Sequence, residues 1–317
     1  MTRILALDLG GTKFAAGVVD EAGTVLVADR IETPYGPTAD GEALYAALSQ
    51  VIDRVLEKAD LSTVAGVGIG CGGPMRWPSG EVSPLNIPGW REFPLRARLM
   101  DRFRGMPVRL HNDALALVIA EHWLGAGRGH DNLMGMVVST GVGGGLILGG
   151  KAIDGHTGNA GHVGHIVVVP GGQECGCGGR GCVEAETRGP RVAAWAVRQG
   201  WRPPAGTEGH PSARDLAADA RAGDLVAVEA FARAGRLLGL GIASAVALID
   251  VDLVTIGGGL SQAGSLLFDP LHMAYHEHAR IYYAADVAVI PASLDQGAGL
   301  VGAAALVLAG DRYWSAD

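Results

Sequence analysis

Runs of β-branched and apolar residues over Arg3–Leu9, Phe14–Asp20 and Thr24–Ile31 are separated by Gly10-Gly11 and Glu21-Ala22-Gly23, which predicts three strands joined by tight turns. The period then changes. Leu44, Leu48, Val51, Ile52, Val55 and Leu56 fall on one face at helical spacing, which predicts a helix from about Gly41 to Ala59. Val64–Gly70 is too uniformly apolar for a half-exposed strand and reads as one covered on both faces. Pro107–His111 reads as a strand ending at Asn112-Asp113, with a helix following from Ala114 to about Leu124.

Two further strands, Leu133–Ser139 and Gly144–Leu148, flank the turn Thr140-Gly141-Val142-Gly143. The Pro/Gly-rich segment Gly200–Pro211 reads as a loop, and Ser212 with Asp215 three positions on opens a helix. A long Ala/Leu-rich helix is expected over Leu225–Val246, then a short strand, Asp252–Ile256, running into Gly257-Gly258-Gly259. Strands alternating with helices predict an α/β protein with a covered, mixed sheet. The strand–glycine-turn unit recurs near the N-terminus and near the middle, as in a phosphate-binding arrangement duplicated in two domains.

Composition narrows the function. The 317 residues are long for one core and comfortable for two domains. The 50 glycines follow no Gly-X-Y period and sit in short runs beside apolar strands, as where backbone approaches a ligand. A formal charge of −8 argues against a nucleic-acid or anionic-membrane partner. The N-terminal apolar run meets Asp8 too early for a signal peptide, and Leu237–Ile249 is too short to span a bilayer, so a cytoplasmic protein is expected. Cys71 stands alone in an apolar stretch and reads as an inert core thiol.

Four motifs carry chemistry. Asp8-Leu9-Gly10-Gly11-Thr12-Lys13 sets a carboxylate, two glycines and a hydroxyl at a strand-to-strand turn, where N–H groups can converge on an anion and Asp8 can hold Mg²⁺ through water. An ordinary hairpin also accounts for this segment. Ser139-Thr140-Gly141-Val142-Gly143-Gly144-Gly145 repeats the chemistry with more glycines than a hairpin needs. Asn112-Asp113 offers a carboxylate at a strand end, although the same pair would cap the following helix. The fourth motif is Cys175-Gly176-Cys177-Gly178-Gly179-Arg180-Gly181-Cys182, preceded by His165: three sulfurs and one imidazole, the donor set of a closed structural Zn²⁺ site.

Together Asp8–Lys13, Ser139–Gly145, Gly158–His165 and Cys175–Glu184 resemble the ROK family of repressors, open reading frames and kinases, over nearly the whole chain. The resemblance implies the actin-like ATPase (ribonuclease H-like) fold, with two related domains around a cleft. It places 1–112 plus 300–317 in an N-terminal domain and 113–299 in a C-terminal domain with the zinc knuckle. It implies an ATP-dependent hexose kinase acting on a 6-hydroxyl, most simply of glucose, with ATP, Mg²⁺ and structural Zn²⁺, as a homo-oligomer (dimer or tetramer).

By that resemblance Asp113 is the catalytic base. Gly73, Asn86, Asn112, Asp113, His162, His165 and Glu184 meet the sugar. Asp8, Gly10, Gly11, Thr12, Lys13, Thr140, Gly141, Gly143, Gly257, Gly258 and Gly259 meet ATP, and His165, Cys175, Cys177 and Cys182 hold zinc. One position departs from the pattern: where most members have Gly-Glu-x-Gly-His, this chain has Gly161-His162-Val163-Gly164-His165. His162, with the run at 138–145, is similar to the family's N-acetylmannosamine kinases, whereas Ser83–Trp90 is similar to its glucokinases. Sugar identity stays open between them. A repressor would carry a DNA-binding helix-turn-helix ahead of the first turn, which Asp8 leaves no room for, and is the remote alternative.

Overall fold

The computed structural model describes residues 2–36, 38–59, 61–206, 211–294 and 297–315. Part of the expected Gly200–Pro211 loop therefore lies outside the described residues. By compactness the chain divides into a first unit, Met1–Asp131, Gly145–Gly161 and Ser293–Asp317, and a second, Asn132–Gly144 and His162–Ala292.

The first unit is built on a sheet of order β3-β2-β1-β4-β7. Its strands are β1 (Arg3–Leu9), β2 (Lys13–Asp20), β3 (Val25–Glu32), β4 (Val64–Cys71) and β7 (Val108–Asn112); a small hairpin, β5 (Met75–Arg76) and β6 (Glu81–Val82), precedes β7. The pairs β1–β2 and β2–β3 are antiparallel, while β4 and β7 run parallel to β1. Alternation along β1 sends Leu5, Leu7 and Leu9 to one face, where they meet Leu44, Leu48, Val51, Ile52 and Val55 of α1 (Gly41–Lys58). Ile4 and Ala6 go to the other, against Leu300, Ala303 and Ala304 of α10 (Ala298–Leu308). Both faces are buried, as the apolar runs require. The unit also holds α2 (Leu95–Arg102) and α3 (Asp113–Leu124).

Glycine sets how closely α10 approaches. A Cβ at Gly68 would lie 1.8 Å from Ala303 O, and one at Gly302 would lie 1.7 Å from Ala116 O. This contact ties α3 to α10 and the first sheet, so Asp113 falls in the first unit, whereas the sequence expectation started the second domain at 113. Gly145–Gly161 likewise returns to the first unit.

The second sheet has the order β10-β9-β8-β11-β12, with β8 (Leu133–Val138), β9 (Val142–Leu148), β10 (Lys151–Ala152), β11 (Leu253–Gly257) and β12 (Ala288–Pro291). Here too the third, second and first strands in chain order precede two strands parallel to the first. The duplicated strand order is the signature expected of the actin-like fold, in which the same unit occurs twice.

Helices of the second unit are α4 (Val183–Thr187), α5 (Gly189–Arg198), α6 (Ala213–Arg221), α7 (Leu225–Ile249), α8 (Ser265–His278) and α9 (Tyr282–Ala285). The α7 helix starts well before the apolar run Leu237–Ile249, and by length and composition it could cross a bilayer. Half of its apolar window is buried inside the protein. Gly235 and Gly239 bring α8 against it, since a Cβ at either would lie 2.4 Å from Leu267 O or Leu271 O. That packing makes α7 a core helix.

Candidate active site

In the first unit, β1 carries Asp8 to its C-terminal end and the chain reverses at once into β2, with Gly10 N–H donating to Lys13 O at 3.1 Å. Asp8 is half-buried, and burial raises its carboxyl above the ordinary range, with Lys13 opposing. It rests on the start of α10, where a Cβ at Gly299 would lie 2.6 Å from Asp8 Oδ2. Thr12 and Lys13 are exposed on the turn. An aspartate beside bare backbone and an exposed hydroxyl is a donor set suited to hydrated Mg²⁺ and phosphate oxygens.

Asn86 lies against this turn. A Cβ at Gly11 would come within 2.6 Å of Asn86 O, and one at Gly72 within 3.0 Å of Asn86 Oδ1. The loop that presents Asn86 is anchored by aromatics: Trp90 stacks between Phe14 (5.4 Å) and Phe93 (5.1 Å) and donates from Nε1 to Gly41 O at 3.3 Å. Gly73 O accepts Leu85 N–H at 3.1 Å, closing the same loop. The structure thus gathers Gly11, Gly73 and Asn86, with Gly72 an unforeseen addition.

At the end of β7, Asn112 Oδ1 accepts the N–H groups of Ala114 (2.9 Å) and Leu115 (3.3 Å). The capping role weighed from the sequence is therefore real, and it leaves the amide nitrogen for a ligand. Asp113 follows as the first helical residue. Its carboxyl is pushed up to about 6 by burial and by the charge of Asp8, against the pull of the Ala114 N–H. A carboxyl tuned so remains largely ionised at neutral pH yet is more basic than an exposed one. Cys71 is fully buried beside these acids, and burial first, then Asp113 and Asp8, hold its thiol well above its ordinary range.

In the second unit the two glycine turns stand side by side. Ser139 N–H donates to Gly141 O at 2.8 Å, so the turn closes at Gly141 and Gly143 lies within β9, one correction to the expected turn Thr140–Gly143. Gly258 has φ +94° and a Cβ there would lie 2.5 Å from Val138 O; a Cβ at Gly259 would lie 3.5 Å from Ser139 Oγ. Gly257 ends β11. Thr140 and Gly257–Gly259 are therefore brought together at the C-terminal ends of β8 and β11.

Glu184, on α4, grips the same turn. Its Oε2 accepts the Val142 N–H at 2.9 Å, and its Oε1 lies 4.0 Å from Cys175 Sγ. It thereby links the Ser139 turn to the cysteine knuckle. Within that knuckle His165 Nδ1 lies 3.6 Å from Cys175 Sγ and the Cys177 and Cys182 sulfurs are 3.9 Å apart. All four ligand atoms fall within 4.8 Å of one another. A tetrahedral Zn²⁺ with ~2.3 Å Zn–S bonds sets its sulfurs ~3.8 Å apart, so the residues fit the metal. The thiols are free, burial and the neighbouring thiols push Cys182 up to about 12, and the Gly179 N–H lowers Cys177. With Nδ1 turned to the sulfurs, the Nε2 of His165 is left for another partner.

His162 stacks on His165, centroids 5.8 Å apart. Burial, and then His165, lower its pKa, so its ring is neutral at pH 7; its Nε2 is buried and has no hydrogen-bond partner among the described residues. Sequence reasoning missed Glu186, which is buried on α4, accepts the Gln173 N–H at 2.7 Å and pairs with Arg233 at 2.5 Å, pinning the knuckle from behind. A second acid two positions after Glu184 was the available signal.

Comparison with known proteins adds to this geometry. A family model described as ROK family matches residues 4–309. The chain is 36% identical to a glucokinase of Streptomyces coelicolor over 96% of this chain and 98% of that protein. It is also 36% identical to an N-acetylmannosamine kinase of Yersinia pestis, over 83% of this chain and 85% of that one. The crystal structure of a ROK family glucokinase from Streptomyces griseus in complex with glucose and AMPPNP matches with a TM-score of 0.84 and 34% identity, covering 97% of this chain and 100% of that one.

Proposed function

The chain belongs to the ROK family, and within it we propose an ATP-dependent hexokinase that phosphorylates the 6-hydroxyl of glucose with Asp113 as general base. The observation that carries this reading is the placement of Asp113 directly after β7, at the start of α3 and against Gly70, the register partner of Asp8; burial and the Asp8 charge raise its carboxyl. Its support is the full-length similarity to glucokinases, one of them seen with glucose and an ATP analogue.

In this reading Asp113 accepts the proton of the sugar hydroxyl as that oxygen bonds to the γ-phosphorus. The bond from phosphorus to the β,γ-bridging oxygen breaks and ADP leaves. Asn112, Asn86, Gly73, His162, His165 and Glu184 are the sugar-contacting residues of this reading, at the positions of the family pattern. Gly10–Lys13, Thr140, Gly141, Gly143 and Gly257–Gly259 take the nucleotide, where bare backbone N–H groups and small side chains suit phosphate and ribose. Asp8 holds hydrated Mg²⁺, which supplies charge neutralisation to the phosphates. His165, Cys175, Cys177 and Cys182 hold a structural Zn²⁺ that stiffens the loop carrying His165 and the Glu184 helix.

A free sugar and ATP suit a cytoplasmic enzyme. A homo-oligomer is in keeping with the exposed apolar Leu248 (86%) and Tyr282 (87%) of the second unit, and light scattering checks it. One observation favours a second acceptor: neutral His162, whose buried Nε2 has no partner among the described residues, can donate to the acetamido carbonyl of N-acetylmannosamine. A coupled ATP-consumption assay over glucose, mannose, N-acetylmannosamine and N-acetylglucosamine decides. Glucose is expected to show the highest kcat/KM. A tenfold preference for N-acetylmannosamine would replace glucose, and no turnover with any hexose would overturn the kinase reading.

A further inference from the structure

Behind Asn112 and Asp113 runs a polar chain, buried at His111 and reaching the surface at Ser315, that the proposed chemistry leaves unused. His111, only 1% exposed, is the penultimate residue of β7. Its Nδ1 accepts the backbone N–H of Asn112 at 2.8 Å. The proton therefore sits on Nε2, which donates to Asp154 Oδ1 at 2.9 Å. The second Asp154 oxygen accepts from Ser315 Oγ at 2.5 Å. Trp77 covers the imidazole with ring centroids 5.0 Å apart, and Trp314 meets Trp77 edge-on at 4.3 Å. Every one of these residues belongs to the first unit.

The consequence falls on Asn112. Its side chain is tied to the first turn of α3 and its backbone N–H to His111, so both ends of the residue are fixed, at φ −59° and ψ 139°. Asp113 comes next, and its orientation follows from that peptide. Without Asp154, the imidazole loses the partner that keeps its proton on Nε2; a proton on Nδ1 would point N–H against N–H.

We propose that His111 and Asp154 are positioning residues for Asp113, latched by Ser315 and Trp314, so that the C-terminal segment of the chain sets the aim of the catalytic carboxylate. The proposal rests on the kinase reading above.

Two substitutions at one position separate aim from mere folding. His111→Gln keeps a donor for Asp154 but loses the acceptor for the Asn112 N–H, whereas the amide oxygen of His111→Asn replaces Nδ1. For His111→Gln we expect kcat to fall ~10–100-fold, the scale of a misplacement of about 1 Å, with the sugar KM within ~3-fold. His111→Asn should recover most of that loss at a similar melting temperature. Ser315→Ala, on the exposed end of the chain, should lower kcat ~3–10-fold without moving the melting temperature; it decides the matter if His111→Gln does not fold. Unchanged kcat in Ser315→Ala, or equal losses in His111→Asn and His111→Gln, would overturn the positioning role while leaving the kinase intact. A wild-type protein that turns over no hexose would overturn both.

Discussion

Asp8 and Asp113 converge over Gly70: Gly70 is the register partner of Asp8, and a Cβ on it would lie 3.4 Å from the Asp113 Cα. A bare residue there lets a carboxylate at the end of β1 and one at the start of α3 come close to each other. The charge of Asp8, after burial, is what drives Asp113 up to about 6.

This sets a pH limb. The base must be ionised, so kcat/KM should fall tenfold per pH unit below about 6, the Asp113 value in the free enzyme. Asp8→Asn removes the repelling charge and should move the limb downward, on top of its loss of activity. A rate profile in which the limb stays near pH 6 in Asp8→Asn would show that another group sets it.

The same shift opposes stability. A carboxyl whose folded pKa, about 6, exceeds the ordinary aspartate value of 3.8 binds protons on folding. Stability therefore falls as pH rises from the lower value through the higher, and the full penalty is present at pH 7.5. Asp113→Asn should remove it and stabilise the nucleotide-free protein by about 1–3 kcal/mol at pH 7.5, with little change at pH 4. Denaturant melts at the two pH values read this directly.

Metal removal tests the knuckle. Cys177→Ala, or prolonged chelation, should lower the melting temperature and weaken sugar affinity together, because Glu184 joins the knuckle to the Ser139 turn through Val142. Metal analysis should return one zinc per chain. A metal-free preparation with full stability and activity would contradict the assignment.

Close packing makes the sharpest stability test. Gly302→Ala would drive a methyl to 1.7 Å from Ala116 O, so α10 must part from α3. A loss of at least ~2 kcal/mol is expected, read as a lower denaturation midpoint.

Much of this was legible in advance because it rests on local signals. The strands β1 to β4, the helix α1 and the Ser212 cap declare themselves through periodicity and turn residues, and the cysteine knuckle through its donor set. What the sequence hid is long-range. The Asp154 partner of His111 lies 43 positions away, with no pattern linking them. The α8 helix carries Pro270 and a run of polar residues that blur its apolar face. The membership of α3 depends on how Gly302 meets Ala116, which no local pattern encodes. Gly143 was misplaced for a simpler reason: consecutive glycines do not say where a turn ends and a strand resumes.

The most direct measurement compares wild-type protein with Asp113→Asn for glucose-dependent ATP consumption, alongside glucose binding by calorimetry. The expected result is sugar 6-phosphate from the wild type, and glucose binding within a few-fold but turnover at least ~100-fold lower in the variant. Turnover within a few-fold of wild type in Asp113→Asn would contradict it, because a carboxamide cannot take the hydroxyl proton.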